Sequence, residues 1–199
     1  MKRVFDEFKR FRSEATEAMR VQNYHDDEQY KMACGWLQGL APEVRPAEDF
    51  EASLAYAKDK YSFAVATFDL LKKKAEWAVG VAATLTAGTI AFSDKIGVNF
   101  IFLVPTLTLW FFTLYLVIKL LSPDDIPTPM EASEVVDKDM AKVNSAVWQA
   151  ASYHCAVKGF EFVIGYKSNQ FVVAAKSFAI GLFLFGLAKL GVEIMLLFR

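Results

Sequence analysis

Hydrophobic residues follow two different patterns along this chain. From Phe50 onward they recur every four or three positions, at Phe50, Leu54, Ala57, Tyr61, Ala64, Phe68, Leu71 and Ala75. That alternation is a heptad seam, one face of a long helix packed on a partner. Beyond Trp77 the stripe gives way to runs that are apolar all round. Trp77–Ser93 has 17 residues and Val98–Ile118 has 21, with no charge in either, and a last run extends from about 177 to 198. At the helical rise the first two cover roughly 25 and 31 Å. A bilayer's hydrocarbon layer is about 30 Å thick and takes about 17–25 apolar residues. The pattern therefore predicts an all-α integral membrane protein with three transmembrane helices, at about 77–93, 98–118 and 177–198. The alternative is a soluble bundle whose two buried helices turn at Asp94–Gly97. It requires a polar stripe that Phe100–Val104 and Leu109–Ile118 lack.

The same patterning divides the chain into three segments: 1–46, N-terminal helices; 47–121, a long helix running into a membrane hairpin; and 122–199, a second long helix running into the third span. No Pro or Gly occurs from Ala47 to Trp77, so one helix is expected to continue from the heptad seam into the first span. Glu48, Asp49 and Glu51 suit its first turn, where acids complement the helix dipole. A second long helix is expected from Glu131. Its seam reads Val136, Met140, Val143, Val147, Ala150, His154 and Val157, with a bend at Gly159, and resumes through Phe160, Val163, Ile164, Phe171 and Val172 into the third span. The two extensions are expected to pair as a cytosolic antiparallel stalk. Pro42 and Pro46 break the chain before the first long helix, and Pro105 is expected to bend the second span. Residues 1–20 read as an amphipathic helix with Val4, Phe5, Phe8 and Phe11 on one face and Lys2, Arg3, Lys9, Arg10 and Arg12 around them. Such a face lies on an anionic leaflet or packs on neighbouring helices. Residues 24–40 are expected to form a further helix.

Charge sets the topology. Lys72, Lys73 and Lys74 precede the first span and Lys119 follows the second. Lys167 and Lys176 precede the third, which ends with Arg199. By the positive-inside rule the N-terminus and the 119–176 connection are cytoplasmic, and the C-terminus lies outside. Lys74, Lys119 and Lys176 are then the membrane-border residues. A mean hydropathy of +0.25 fits a chain that is part membrane and part densely charged. The net charge of -1 gives no electrostatic case for nucleic acid. The N-terminus lacks the apolar core of a signal peptide, so the internal spans must lead insertion.

Little in the chain carries catalytic chemistry. There is no phosphate-binding glycine loop, nucleophile elbow or metalloprotease pair, and no enzyme is expected. His154 and Cys155 are adjacent and diverge by about 100° on a helix, so no metal site is expected. Cys155 reads as a small buried apolar residue, and the two cysteines suggest no disulfide framework. Small residues four apart line the first span: Gly80, Thr84 and Gly88 on one face, Ala83, Ala87 and Ala91 on the next. Such ladders allow close helix approach in lipid, against a second copy or against the chain's own spans. Lys189 and Glu193 are the intramembrane ionisable pair, four apart on one face. They either line a water path or mark the end of the span, with Lys189 snorkelling to the interface.

The stretches Tyr61–Ala91 and Tyr166–Leu187, with Lys74-Ala75 at the entry to one span and Lys167 and Lys176 at the entry to another, resemble the two halves of bacterial Pycsar transmembrane effectors. They are also similar to the related small membrane effectors associated with nucleotide-second-messenger synthases. The resemblance covers about half the chain. It implies an inner-membrane effector of anti-phage defence, working as a homo-oligomer. A cyclic nucleotide from a partner nucleotide cyclase would trigger it, and assembly or rearrangement of its spans would impair the bilayer. No cofactor is implied beyond that ligand. Arg45, Lys58 and Lys60 are candidate phosphate contacts, equally readable as solvated faces. The competing expectations are a scaffold that anchors a cytosolic partner and a small channel.

Overall fold

The computed structural model describes residues 2–20, 22–32, 48–91, 100–122, 127–129 and 145–197. Among these residues every regular element is helical. Helix α1 is Lys2–Met19, α2 is Glu48–Ala91, α3 is Phe100–Leu121 and α4 is Ser145–Leu197. A 3-10 turn, Tyr24–Asp26, follows α1. Residues 28–32 are again helical. They are capped by Asp27, whose Oδ1 accepts from the Tyr30 N–H at 2.9 Å. Two helices are long and apolar enough to cross a membrane, at Leu103–Leu121 and Gln149–Gly191. The 94–97 turn, the Pro42–Pro46 break and the start of the second long helix lie outside the described residues.

The expected long helix is present: α2 runs for 44 residues without a break. Helix α3 likewise continues through Pro105, which lies only one turn and a half inside the helix. Helix α4 passes Gly159 uninterrupted and runs for 53 residues.

The chain forms two compact units. The first comprises residues 1–20, 71–122 and 167–199. Its core joins Ala15 and Ala18 of α1, Ala75 of α2, Leu116, Val117 and Leu120 of α3, and Val173 and Ala174 of α4. The α3 contribution is a regular seam: Leu103, Thr106, Trp110, Thr113, Val117 and Leu120 are all buried, three and four apart. Helix α1 thus packs by Phe11, Ala15 and Ala18 onto the apolar helices themselves. The side chains of Val4, Phe5 and Phe8 lie outside the description.

The second unit comprises residues 21–70 and 123–166. Ala64, Phe68, Phe160 and Val163 form its centre, with Tyr30, Tyr61 and Val65 packed around them. Tyr61 meets Tyr153 and Phe160 edge to face, both at 5.5 Å, and Phe68 meets Phe160 at 5.9 Å. These pairings correct two expectations. Contacts that advance along α2 advance along α4 too, so the two helices run parallel here, not antiparallel. The expected α4 seam is buried at Val157, Phe160 and Val163, but His154 is exposed and Ala156 is buried in addition. The aromatic contacts of Tyr153 and Phe160 set that face.

Candidate functional site

The buried face of α4 in the first unit is unusual in carrying polar residues at seam positions. Lys167, Gln170, Ala174, Ser177, Gly181 and Ala188 are all buried, at spacings of three, four or seven. Each polar member meets the backbone of another helix. Lys167, only 1% exposed, donates from Nζ to the Leu120 carbonyl at 2.6 Å and the Ser122 carbonyl at 3.3 Å. The C-terminal carbonyls of a helix lack intrahelical donors and carry a partial negative charge. An ammonium placed there satisfies them, and they in turn make its burial tolerable. Gln170 Nε2 donates to the Ala18 carbonyl at 2.9 Å. Ser177 donates to the Leu109 carbonyl at 3.0 Å, and Thr113 to the Ala174 carbonyl at 3.3 Å.

The C-terminus of α1 is held in the same way. Lys119 Nζ donates to the Met19 carbonyl at 2.6 Å and the Arg20 carbonyl at 3.2 Å. Nearer its middle, Glu14 accepts from Lys176 at 2.5 Å and from Arg10 at 3.1 Å. The Lys176 hydrogen bond, with its charge and that of Arg10, holds the Glu14 carboxyl below its ordinary 4.5 against a smaller opposing effect of burial. Two of the three border lysines are therefore ties between α1 and the apolar helices, while Lys74 is exposed.

A second contact fixes α3 against α4. Trp110, 1% exposed, lies 5.9 Å from both Phe178 and Phe185. Its indole sits where a Cβ on Gly181 would stand, 2.5 Å from Nε1 and 2.7 Å from Cδ1. Only glycine leaves room for the ring. Nε1 is buried and reaches no acceptor among the described residues.

The small-residue ladder of α2 faces away from all this. Gly80, Ala83, Thr84, Ala87 and Ala91 are exposed and Gly88 is half-buried. A Cβ at Gly80 or Gly88 would meet nothing within 4 Å. Glu76, Trp77, Gly80, Val81, Thr84 and Leu85 line a shallow open groove there. Thr84 returns its hydroxyl to the Gly80 carbonyl at 2.8 Å, so it presents a methyl group outward. Lys189 is exposed beside buried Ala188. The side chain of Glu193 lies outside the described residues.

In the second unit, Lys58 lies over the Tyr153 ring at 5.8 Å and Lys60 over Tyr56 at 5.1 Å. Burial raises the Tyr61 hydroxyl above its ordinary value. A separate groove is lined by Gln22, Asn23, Asp26, Asp27, Glu28 and Gln29. Its acids repel phosphate. Among the described residues no three His, Cys, Asp or Glu side chains gather as metal ligands. Cys155 is buried, as expected, but it is disulfide-bonded, which the sequence reading did not anticipate. The other cysteine, Cys34, lies outside the described residues. Arg45 does too.

No family model, curated protein or solved structure matches the chain.

Lys167, Gln170, Ser177, Trp110 and Gly181 are the functional-site residues that periodicity misses. Three are polar where a seam is expected to be apolar, and Gly181 is invisible to hydrophobic patterning. The signal that finds the four α4 residues is the four-three spacing itself, counted without regard to polarity from Ala156 to Gly181.

Proposed function

We propose that this chain is a multi-pass inner-membrane effector of anti-phage defence. A cyclic nucleotide triggers it, and it acts by changing how its membrane helices associate, without catalysis. The observation that carries this reading is the uncovered small-residue face of α2. Gly80, Thr84 and Gly88 are built for close helix approach, and among the described residues nothing packs within 4 Å of a Cβ at Gly80 or Gly88. In a bilayer such a face is satisfied by another helix, and a second copy supplies one. The apolar helices support the membrane reading. Phe111, Tyr115 and Ile118 of α3 and Phe183 of α4 are each more than half exposed, an arrangement suited to lipid and costly in water. Three spans, with α2 supplying the first, complete the scheme.

The test is membrane potential in bacteria expressing the chain, with and without cyclic pyrimidine nucleotides. Ligand-dependent depolarisation is expected. An intact potential with the protein confirmed in the membrane sinks the effector reading. Gly80→Leu with Gly88→Leu is expected to abolish self-assembly in mild detergent.

A second reading is a membrane scaffold, favoured by the acidic groove at residues 22–29. That groove suits a basic segment of a cytosolic partner. Co-purification of a basic protein, lost on charge reversal at Asp26 and Asp27, would favour it. Protease access to the second unit from each side of the membrane decides which side it occupies.

A further inference from the structure

Helix α1 and the apolar helices make an ill-matched pair. Gln170 meets Ala18, and Lys176 meets Glu14, six residues further along α4. Lys119 meets Met19. Glu7 and Arg10 share a cavity with Val104, Pro105 and Thr108. Helix α1 therefore lies lengthwise beside α3 and α4, parallel to α3 and antiparallel to α4. The Val104–Leu109 stretch is roughly 18–25 Å along the axis from Leu121. If Leu103–Leu121 crosses the bilayer, Glu7 and Arg10 sit within its thickness. Yet Asp6, Glu7, Lys9, Arg10, Arg12 and Ser13 are all exposed. Charged side chains at such depth face a bundle interior or a water-filled cavity, not lipid.

The cavity between these helices takes Glu7 and Arg10, while Asp6, Lys9, Arg12 and Ser13 do not line it. It measures about 950 Å³. Helix α1 lines it with Glu7, Arg10 and Glu14, α3 with Val104, Pro105, Thr108 and Leu109, and α4 with Lys176, Ala179, Ile180 and Leu184. Thr108 returns its hydroxyl to the Val104 carbonyl at 2.9 Å, so the α3 wall does not bind a polar solute tightly. Two carboxylates stand with two cations, leaving no net charge to select one sign of ion.

We propose that the groove between α1 and the outer halves of α3 and α4 is an aqueous cleft inside the membrane layer, open to water and to small ions of either sign. This rests on the membrane reading above. In that reading the cleft is where bilayer integrity is lost, and the lumen of an assembled oligomer is bordered by the charged face of α1.

The experiment compares neighbouring positions of one helix. Thr108 lines the cleft. Phe111 lies one turn away and is 54% exposed but outside the cleft. Full-length protein carrying Thr108→Cys, Phe111→Cys or Ile180→Cys is reconstituted in phosphatidylethanolamine–phosphatidylglycerol vesicles. It is then treated with a charged, membrane-impermeant thiol reagent, with the unsubstituted chain as background. Only a thiolate reacts, and a thiol in hydrocarbon stays protonated, so the cleft positions should label at least about tenfold faster than Phe111→Cys. Ile180→Cys repeats the test on α4 in case the α3 variants fold poorly. Slow labelling at all three positions overturns the cleft and leaves the membrane reading intact. Fast labelling at all three overturns the membrane reading, because Phe111 would then face water.

Discussion

The two units hold their helices together by different means. In the second, aromatic rings do it: Tyr61, Phe68, Tyr153 and Phe160 meet edge to face around Ala64 and Val163. In the first, the decisive contacts run from side chains to backbone carbonyls, from Lys167, Gln170, Ser177, Thr113 and Lys119. The contrast has a solvent logic. In water, burying a ring is favourable in itself. In lipid, apolar contact with another helix gains little over contact with acyl chains, so close packing and hydrogen bonds must supply the specificity. Under the proposed membrane reading, a unit stitched through carbonyls suits an apolar surrounding and a unit stapled by aromatics suits water.

The sharpest way to break this comparison is to delete the central ring of the aromatic staple. Phe160→Ala removes a buried side chain with three aromatic or aliphatic neighbours and should cost about 3–5 kcal/mol. Amide hydrogen exchange read by mass spectrometry should show the loss first at residues 58–70 and 150–164. Normal protection there would mean that the rings are ornamental and the unit is held by something else. The matching change in the first unit is Lys167→Met, which keeps the stem and removes the ammonium. It strands two carbonyls at the end of α3 and should cost about 2–3 kcal/mol, the range for losing a charged hydrogen bond. Lys167→Arg should recover part of it. If Lys167→Met is neutral, the carbonyls find water and the end of α3 is not dry.

How far the pattern of residues could be read follows the same division. Helix α2 was legible because its seam, Leu54 to Ala75, is apolar at every position, and because nothing breaks it before the first apolar run. The α4 seam was legible at Val157, Phe160 and Val163 but misplaced at His154, which is exposed. Its true course passes through Lys167, Gln170 and Ser177, which hydrophobic counting discards. The lysines near the span ends were legible as a class from topology. What separates Lys74, exposed, from Lys119 and Lys176, both tied to α1, is which carbonyl or carboxylate the fold brings within reach. No local spacing encodes that. The parallel course of α2 and α4 could have been deduced from the three-span scheme alone, in which both helices enter from one side.

A smaller effect is expected where α3 and α4 touch. Gly181→Ala places a methyl 2.5 Å from Trp110 Nε1, too close for the ring to stay. Overpacking of this kind costs about 1–3 kcal/mol. The ring has an escape only by turning away from Phe178 and Phe185, so the indole emission should shift along with stability. Trp110→Phe in the same background should relieve the strain. If Gly181→Ala leaves both emission and stability unchanged, the close approach of the two helices is not a constraint.

The smallest effect belongs to the one tie that titrates in an accessible range. The Glu14 carboxyl is held below its ordinary 4.5, first by the Lys176 hydrogen bond. A depressed folded value means that the unfolded chain takes up the proton first as pH falls. The stabilisation from this tie is therefore complete above about pH 4.5 and is lost as pH falls through the lower folded value. Because the pair is partly solvated, its contribution is modest and should fade with salt. Proteolysis of α1, followed from neutral pH downward with an acid-active protease, should accelerate below the ordinary value. Glu14→Gln should lie on the faster curve throughout and show no such step. Lys119 and Gln170 hold the other end of α1 by contacts to carbonyls, which do not titrate. The acid step should therefore loosen the segment around Arg10 and Glu14 while Ala18 and Met19 keep their protection. Equal loosening along the whole helix would show that α1 docks as one cooperative element and that the ion pair, not the carbonyl contacts, decides whether it is bound.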